Sequence, residues 1–352
     1  LNGQIGYSHA FQDTPNEVEA LFVGGPFNGA FHDTRKPIPA MEAAYYDASS
    51  YEMDELKRED QLTTDTEVNL KLDFARDYVL SGHPSQLKFG TKLSRREKDN
   101  DVEVVEFDTG DLASTSLEDY QTEVDYGLAP FGPGASNSAI RGALAGLNGE
   151  RNEVDSRLED FEMREDVNAL YVMNSIDIGD WHLLAGLRYE GTSFEADGVR
   201  YDDASGEWSP NRSDKQDDHV LPGLHANYRL DSDTLVRAAF TQSVVRPSFE
   251  QLAPYVYLED DGGDLKAEFG NPELDPLKSS NLDLGIERYV GRVGLMSAYV
   301  FYKDIKNYTY ATDLSGTGDW AAYDEAATFA NGDEASIYGL ELAFSRKFGH
   351  FL

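Results

Sequence analysis

Apolar and polar side chains alternate with a period of two from one end of the chain to the other. Only a β-strand puts residues i and i+2 on one face, so this pattern limits what the chain can become. Leu1, Gly3, Ile5 and Tyr7 alternate with Asn2, Gln4, Gly6 and Ser8, and Val68, Leu70, Leu72 and Phe74 alternate with Glu67, Asn69, Lys71 and Asp73. The pattern recurs at Leu87–Leu93, Trp181–Tyr189, Val220–Tyr228, Val236–Phe240, Leu282–Ile286 and Tyr338–Phe344. With the less regular runs at Glu17–Gly24, Asp166–Ile178 and Val293–Ile305, the chain predicts about eleven strands.

The connections alternate as well. Short ones are FQDTPN after Ala10, ARDYVLSGHP before Ser85, Gly179–Asp180, Leu230–Asp233 and Val290–Arg292; long ones span 25–61, 98–159, 196–216, 246–276 and 307–334. An up-and-down antiparallel barrel in an outer membrane has tight turns on one side and long loops on the other, so its connections must alternate in this way. A Greek-key sandwich has no such parity. The expected class is therefore all-β, a transmembrane up-and-down antiparallel β-barrel with long extracellular loops and short periplasmic turns. Strand 1 is expected to descend into a periplasmic FQDTPN turn. A short helix is expected over Ala139–Leu147, and RNEVDSRLEDFEMRED reads as surface loop or as a solvated helix.

Composition removes several function classes. With 30 basic and 65 acidic residues the net charge is −35, which excludes an ordinary nucleic-acid binder, because phosphate contacts need clustered Lys and Arg. The absence of cysteine removes disulfides and thiolate chemistry. No window holds the about 20 apolar residues of a membrane-spanning helix, a test that barrel strands escape. The chain starts at Leu1 inside an apparent strand and is expected to be a piece of a longer protein.

GNPELDPLKSSNLDLGIERY with VGRVGLMSAYVFYKDIKNYTY, DDHVLPGLHANYRLDSDTLVRAAFTQSVVRPSFEQLAPY, LNGQIGYSHAFQDTPNEVEALF and ALYVMNSIDIGDWHLLAGLRYE resemble barrel segments of TonB-dependent outer-membrane receptors. They are most similar to the group found in proteobacteria of the Caulobacter and Xanthomonas type, many of whose members are associated with carbohydrate uptake. The resemblance implies about eleven of roughly 22 strands. It also implies that residues 1–352 are a partial barrel domain whose N-terminal plug and C-terminal strands lie outside this sequence. The implied function is active uptake of a scarce solute, an oligosaccharide or other carbohydrate, across the bacterial outer membrane, and no enzymatic activity. The implied partners are the TonB–ExbB–ExbD complex, acting through the missing N-terminal part, outer-membrane lipid and lipopolysaccharide, and the ligand itself. The residues matching the family pattern are Arg246, Pro247, Phe249, Gly270, Asn271, Pro272, Leu274, Pro276, Ser280, Asn281, Asp283, Leu284, Gly285 and Glu287, and their types suit turns, strand entry and packing.

The residues offered for ligand contact are loop aromatics, whose rings can stack on sugar faces: Trp208, Tyr255, Tyr257, Tyr310, Trp320 and Tyr323. Their competing reading is loop packing or the aromatic girdle of a barrel. Asp260, Asp261 and Asp264 lack the spacing of a calcium loop. His219 and His225, six residues apart on one strand face, are about 20 Å apart and cannot chelate one ion. No HExxH or GxSxG sequence supports hydrolysis, and no cofactor is expected. Two other classes remain open: a passive porin, and a soluble acidic carbohydrate-binding β protein or adhesin.

Overall fold

The computed structural model describes residues 1–31, 35, 39–124, 131–291 and 294–346. Besides short two- and three-residue strands in the connections, they comprise ten long strands and a hairpin of six-residue strands: β1 (Asn2–Gly24), β2 (Tyr51–Leu80), β3 (His83–Glu106), β4 (Phe161–Ile178), β5 (Trp181–Asp202), β6 (Glu207–Arg229), β7 (Thr234–Val245), the hairpin β8 (Val256–Asp261) and β9 (Asp264–Phe269), β10 (Leu277–Val290), β11 (Gly294–Asp313) and β12 (Glu325–Arg346). The long strands pair in chain order, and β12 continues to β9, β8 and back to β5. The fold is all-β, of the up-and-down antiparallel barrel class. Arg292, Val293 and the terminal FGHFL lie at or beyond the limits of the described residues.

The chain forms two compact units. One comprises Leu1–Ala10, Thr64–Asp99 and Phe161–Leu352; the other comprises Phe11–Thr63 and Asn100–Asp160. In the second unit Leu56, Met53, Leu117, Tyr120, Phe107 and Ile140 form the core. This unit holds two helices: α1 (Asn137–Ala143), capped by Ser136, which brings Ile140 to that core, and α2 (Glu153–Glu159), capped by Asn152, whose Oδ1 accepts the N–H groups of Val154 and Asp155 at 3.0 Å each. The helix expected at 139–147 thus starts and ends earlier. RNEVDSRLEDFEMRED holds the helix of its two readings at Glu153–Glu159, and β4 then begins at Phe161, earlier than the expected Asp166.

One expected turn is absent. FQDTPN lies inside β1, because Asn16 adopts a positive φ of 56° and its N–H donates to Asp60 Oδ1 at 2.8 Å, so the backbone kinks without reversing. The expected strands at either end of FQDTPN are one strand. The count falls from about eleven to ten, and β1 runs toward the first long connection instead of descending. The 196–216 segment is a continued hairpin: β5 and β6 extend through it and reverse only at 203–206. Likewise 246–276 holds β8, β9 and the helix α3 (Phe249–Leu252). Elsewhere the parity is kept. Ser81 and Gly82, both at positive φ, turn β2 into β3, and Gly179, at φ 58°, turns β4 into β5.

Register places the side chains on two faces of different character. Ala238, Leu284, Val300 and Leu340 lie in one cross-strand row, and Phe240, Leu282, Tyr302 and Tyr338 lie in the next. These rows are open: Leu284 is 51% exposed and Leu340 62%. The opposite face carries Arg237, Gly285, Tyr299 and Glu341 in one row. A continuous exposed apolar belt of this kind is unfavourable in water and suits hydrocarbon.

On the polar face, two glycines make room for rings on the neighbouring strand. Gly285 sits under Tyr299, and a Cβ on Gly339 would come within 2.6 Å of the Phe301 ring. Gly339→Val should lower the stability of the full-length receptor by about 1–3 kcal/mol, the usual cost of overpacking. The check is urea unfolding in lipid, where an unchanged midpoint would show that the ring moves aside freely.

The 314–324 connection is fastened by Asp313, whose Oδ1 accepts the N–H groups of Ser315 at 2.8 Å and Ala326 at 2.9 Å. Those bonds hold its carboxyl below the ordinary 3.8. A lowered carboxyl stabilises the folded loop fully above that ordinary value, and the contribution is lost as pH falls through the lowered one. Amide exchange at Ser315 and Ala326 should therefore be unchanged between neutral pH and the ordinary aspartate value after correction for intrinsic rates, and should rise below it. Asp313→Ala should show the faster exchange at every pH.

Candidate solute-contact site

The inward face of the first unit is a ladder of paired charges. Arg246, at the exit of β7, contacts Glu190, donates to Thr192 Oγ1 from Nη2 at 2.7 Å and lies 3.3 Å from Glu165 Oε2. Arg188 holds the other oxygen of Glu190 at 2.6 Å. Lower on the wall, Arg237 donates to both oxygens of Glu287 at 3.1 Å, and the Tyr299 hydroxyl donates to the same carboxylate. Half-buried charges of this kind persist because each is matched within the chain. Arg246 and Glu287, residues of the family pattern, are therefore used structurally.

The GNPELDP stretch is a strap into β10, fixed on both sides. Gly270 is glycine because a Cβ would collide with the Ala253 carbonyl oxygen. Asn271 Nδ2 donates to the Phe329 carbonyl at 2.8 Å, its Oδ1 accepts the Glu273 N–H at 3.0 Å, and Leu274 fills a core with Met163, Phe194 and Leu252. Lys215 Nζ reaches the Glu273 carbonyl at 2.8 Å and Asp275 at 2.9 Å, while Asn331 accepts the Asp275 N–H at 2.7 Å and returns a bond to its carbonyl. Pro272 and Pro276 stand where no ladder donor is needed.

Around this strap the expected aromatics fall into separate groups. Tyr201, which the sequence reading passed over, lies between Trp208, with ring centroids 4.5 Å apart, and Tyr257, stacked at 6.1 Å. Burial, then the charges of Asp203 and Asp202, raises the Tyr201 phenol above its ordinary value. Trp320 stacks on Phe269 at 4.4 Å and meets Tyr323 edge-on at 5.1 Å, beside buried Leu258, Ala267 and Ala326. Tyr255 donates its hydroxyl to Glu268 at 2.9 Å. Tyr310 pairs with Tyr308 at 5.9 Å; by strand alternation it shares the face of Val300 and Tyr302, as Trp208 shares that of Val220. Tyr201 was missed because nothing but its cross-strand register with Trp208 marks it.

The second unit has its own ring cluster, which sequence alone did not indicate. Phe27 meets Tyr45 at 5.7 Å and Tyr51 at 5.2 Å, Tyr45 meets Tyr46 at 5.1 Å, and the Tyr45 hydroxyl donates to the Phe131 carbonyl at 3.1 Å. Metal-binding geometry is absent: among the described residues no three His, Asp or Glu side chains gather. Asp260 Oδ1 accepts the Gly263 N–H at 2.8 Å, closing its own turn.

The family model described as TonB dependent receptor-like, beta-barrel matches residues 4–352. No curated protein sequence matches the chain. Among solved structures, the ferric-catecholate import receptor Fiu of E. coli K12 in its closed form aligns with a TM-score of 0.54 at 14% identity, over 99% of this chain and 43% of that one. P. aeruginosa FpvA bound to heterologous pyoverdines aligns with a TM-score of 0.52 at 14% identity, over 99% and 36%. The FpvAI–pyocin S2 complex gives 0.53 at 14%, over 99% and 37%. The chain thus spans less than half the length of these structures, and at such identity the likeness carries the fold. With the apolar belt outward, the charged ladder inward, and the family pattern covering nearly the whole sequence, this chain belongs to the TonB-dependent receptor family, as a β-barrel segment of a bacterial outer-membrane protein.

Proposed function

We propose that this segment belongs to a receptor that takes up a scarce solute across the outer membrane, energised by the TonB–ExbB–ExbD complex through a plug and box segment N-terminal to it. The observation that carries this reading is the set of ring clusters on the long connections, Tyr201 with Trp208 and Tyr257, and Phe269 with Trp320 and Tyr323, above a wall whose inward face is polar. Flat rings among carboxylates suit a solute with apolar faces and no net negative charge. In a chain of charge −35, anionic complexes are repelled. A neutral oligosaccharide is the solute class that fits best, with Trp208, Tyr255, Tyr257, Trp320 and Tyr323 as contacts and Tyr310 at the membrane rim.

A ferric complex is the second reading, supported by the names of Fiu and of pyoverdine-bound FpvA. The charge argument then requires a neutral or cationic complex. Porin action is the reading that needs no energy input.

Cells producing the full-length receptor, offered a fluorescent neutral oligosaccharide and, in parallel, a ferric siderophore, separate the three. Saturable oligosaccharide uptake that a protonophore abolishes is expected. Trp320→Ala and Tyr257→Ala should each raise the half-saturating concentration about fivefold, the scale of one lost ring contact. Energised uptake of the iron complex alone would replace the carbohydrate reading, and uptake indifferent to the protonophore would replace active transport.

A further inference from the structure

The hairpin β8–β9 has both of its outer edges paired. Val256, Tyr257 and Leu258 pair in parallel with Arg200, Tyr201 and Asp202 of β5, and Lys266, Ala267 and Glu268 pair in parallel with Glu325, Ala326 and Ala327 of β12. At the first junction the Asp203 N–H donates to the Leu258 carbonyl at 2.8 Å. At the second the Leu265 N–H donates to Asp324 Oδ2 at 3.1 Å, and the Asp324 N–H donates to the Leu265 carbonyl at 2.8 Å. Gly198 lets the base of the hairpin lie against β5, since a Cβ there would come within 2.7 Å of the Pro254 carbonyl oxygen. An isolated hairpin is marginal in water, whereas a sheet of more strands with a buried face is stable. The result is a four-stranded sheet, β5–β8–β9–β12, joining two wall strands that have β6, β7, β10 and β11 between them.

Register puts the two ring clusters on opposite faces of this sheet. Tyr201, Tyr257, Glu268 and Ala327 form one cross-strand row, and Asp202, Leu258, Ala267 and Ala326 form the next. Adjacent rows point to opposite faces, because successive residues of a strand alternate. One face carries Tyr201 and Tyr257 with Trp208, and there the Tyr255 hydroxyl reaches Glu268. The other carries the direct pair Val256 and Phe269, with Trp320 and Tyr323 packed against Leu258, Ala267 and Ala326. That trio is fully buried, while the rings on both faces are only half-buried.

A sugar stacked on the rings of one face cannot reach those of the other through a paired backbone; a single molecule touching both would have to round the turn at Gly262 and Gly263. We propose that β8–β9 is a fixed partition, and that it gives the receptor two separate sugar-binding subsites, one on each face, each holding its own solute molecule. The class of ligand rests on the carbohydrate reading above, whereas the partition rests on the pairing alone.

Native mass spectrometry of the full-length receptor in mild detergent, with a linear neutral trisaccharide as probe, counts the subsites. Two bound copies are expected. Tyr257→Ala and Trp320→Ala should each weaken one binding step about fivefold and leave the other unchanged, with heat-modifiable migration reporting that each variant is folded. A single copy at saturation, or both steps weakened by either variant, would overturn the two subsites and leave the carbohydrate reading standing. No bound trisaccharide at all would remove that reading and the subsites together. Amide exchange tests the partition with no solute present: the buried Leu258 and Ala267 should exchange slowly. This segment has no cysteine, so Arg200→Cys/Val256→Cys and Lys266→Cys/Glu325→Cys each introduce one thiol pair across a junction. Oxidation should close both bridges and leave solute uptake within about twofold of the unbridged receptor, because a fixed element loses no motion when it is tied. Fast exchange, or uptake that stops on oxidation and returns on reduction, would show a moving lid in place of a partition.

Discussion

A backbone in hydrocarbon has no water to satisfy its N–H and C=O groups, and strand-to-strand pairing is what this chain offers in their place. That single constraint accounts for the continuity of the ladder. Consecutive strands pair from β1 to β7 and from β10 to β12, and the hairpin β8–β9 carries pairing from β12 back to β5. Where a donor is missing, at Pro222, the ladder opens. The splitting of side chains into an apolar belt and a charged ladder follows from the same geometry, because the pleat sends successive residues to opposite faces.

Burying charges on the inner face is tolerable because they come in matched sets. Arg246 serves Glu190 and Glu165, and Arg237 serves Glu287. Each set joins different strands or distant positions on the wall, so it also restrains how those strands sit. The GNPELDP strap works at the loop end in the same manner: Lys215 of β6 and Asn331 of β12 grip Asp275 from two sides. A long connection above the membrane is thereby held at defined points instead of being left as free chain.

The places where reading the sequence succeeded and failed have physical causes. Period-two patterning located most of the strands, since Leu282, Leu284 and Ile286 can share an open face in no other regular element. It misjudged FQDTPN, because a proline and an asparagine at positive φ make a kink in a long strand as readily as a turn. It also read the polar ends of β5 and β6 as loop, because strands that leave the membrane have water on both faces and lose the alternation that betrays them. Of the ligand candidates, Trp320 and Tyr323 were found to share one cluster and Trp208 and Tyr257 another. Tyr201 and the Phe27–Tyr45–Tyr51 group carried no linear signal, since partners dozens of residues away bring those rings together.

Sequence by itself determined the strand periodicity, the parity of most connections, the exclusion of helical spans and the acidity of the loops, all of which are local or additive properties of the residues. Tertiary structure alone decided which carboxylate each arginine holds, which rings stack, and that GNPELDP is tied across to Lys215 and Asn331. Those depend on register between distant strands, and register is a property of pairs that no single stretch of chain encodes.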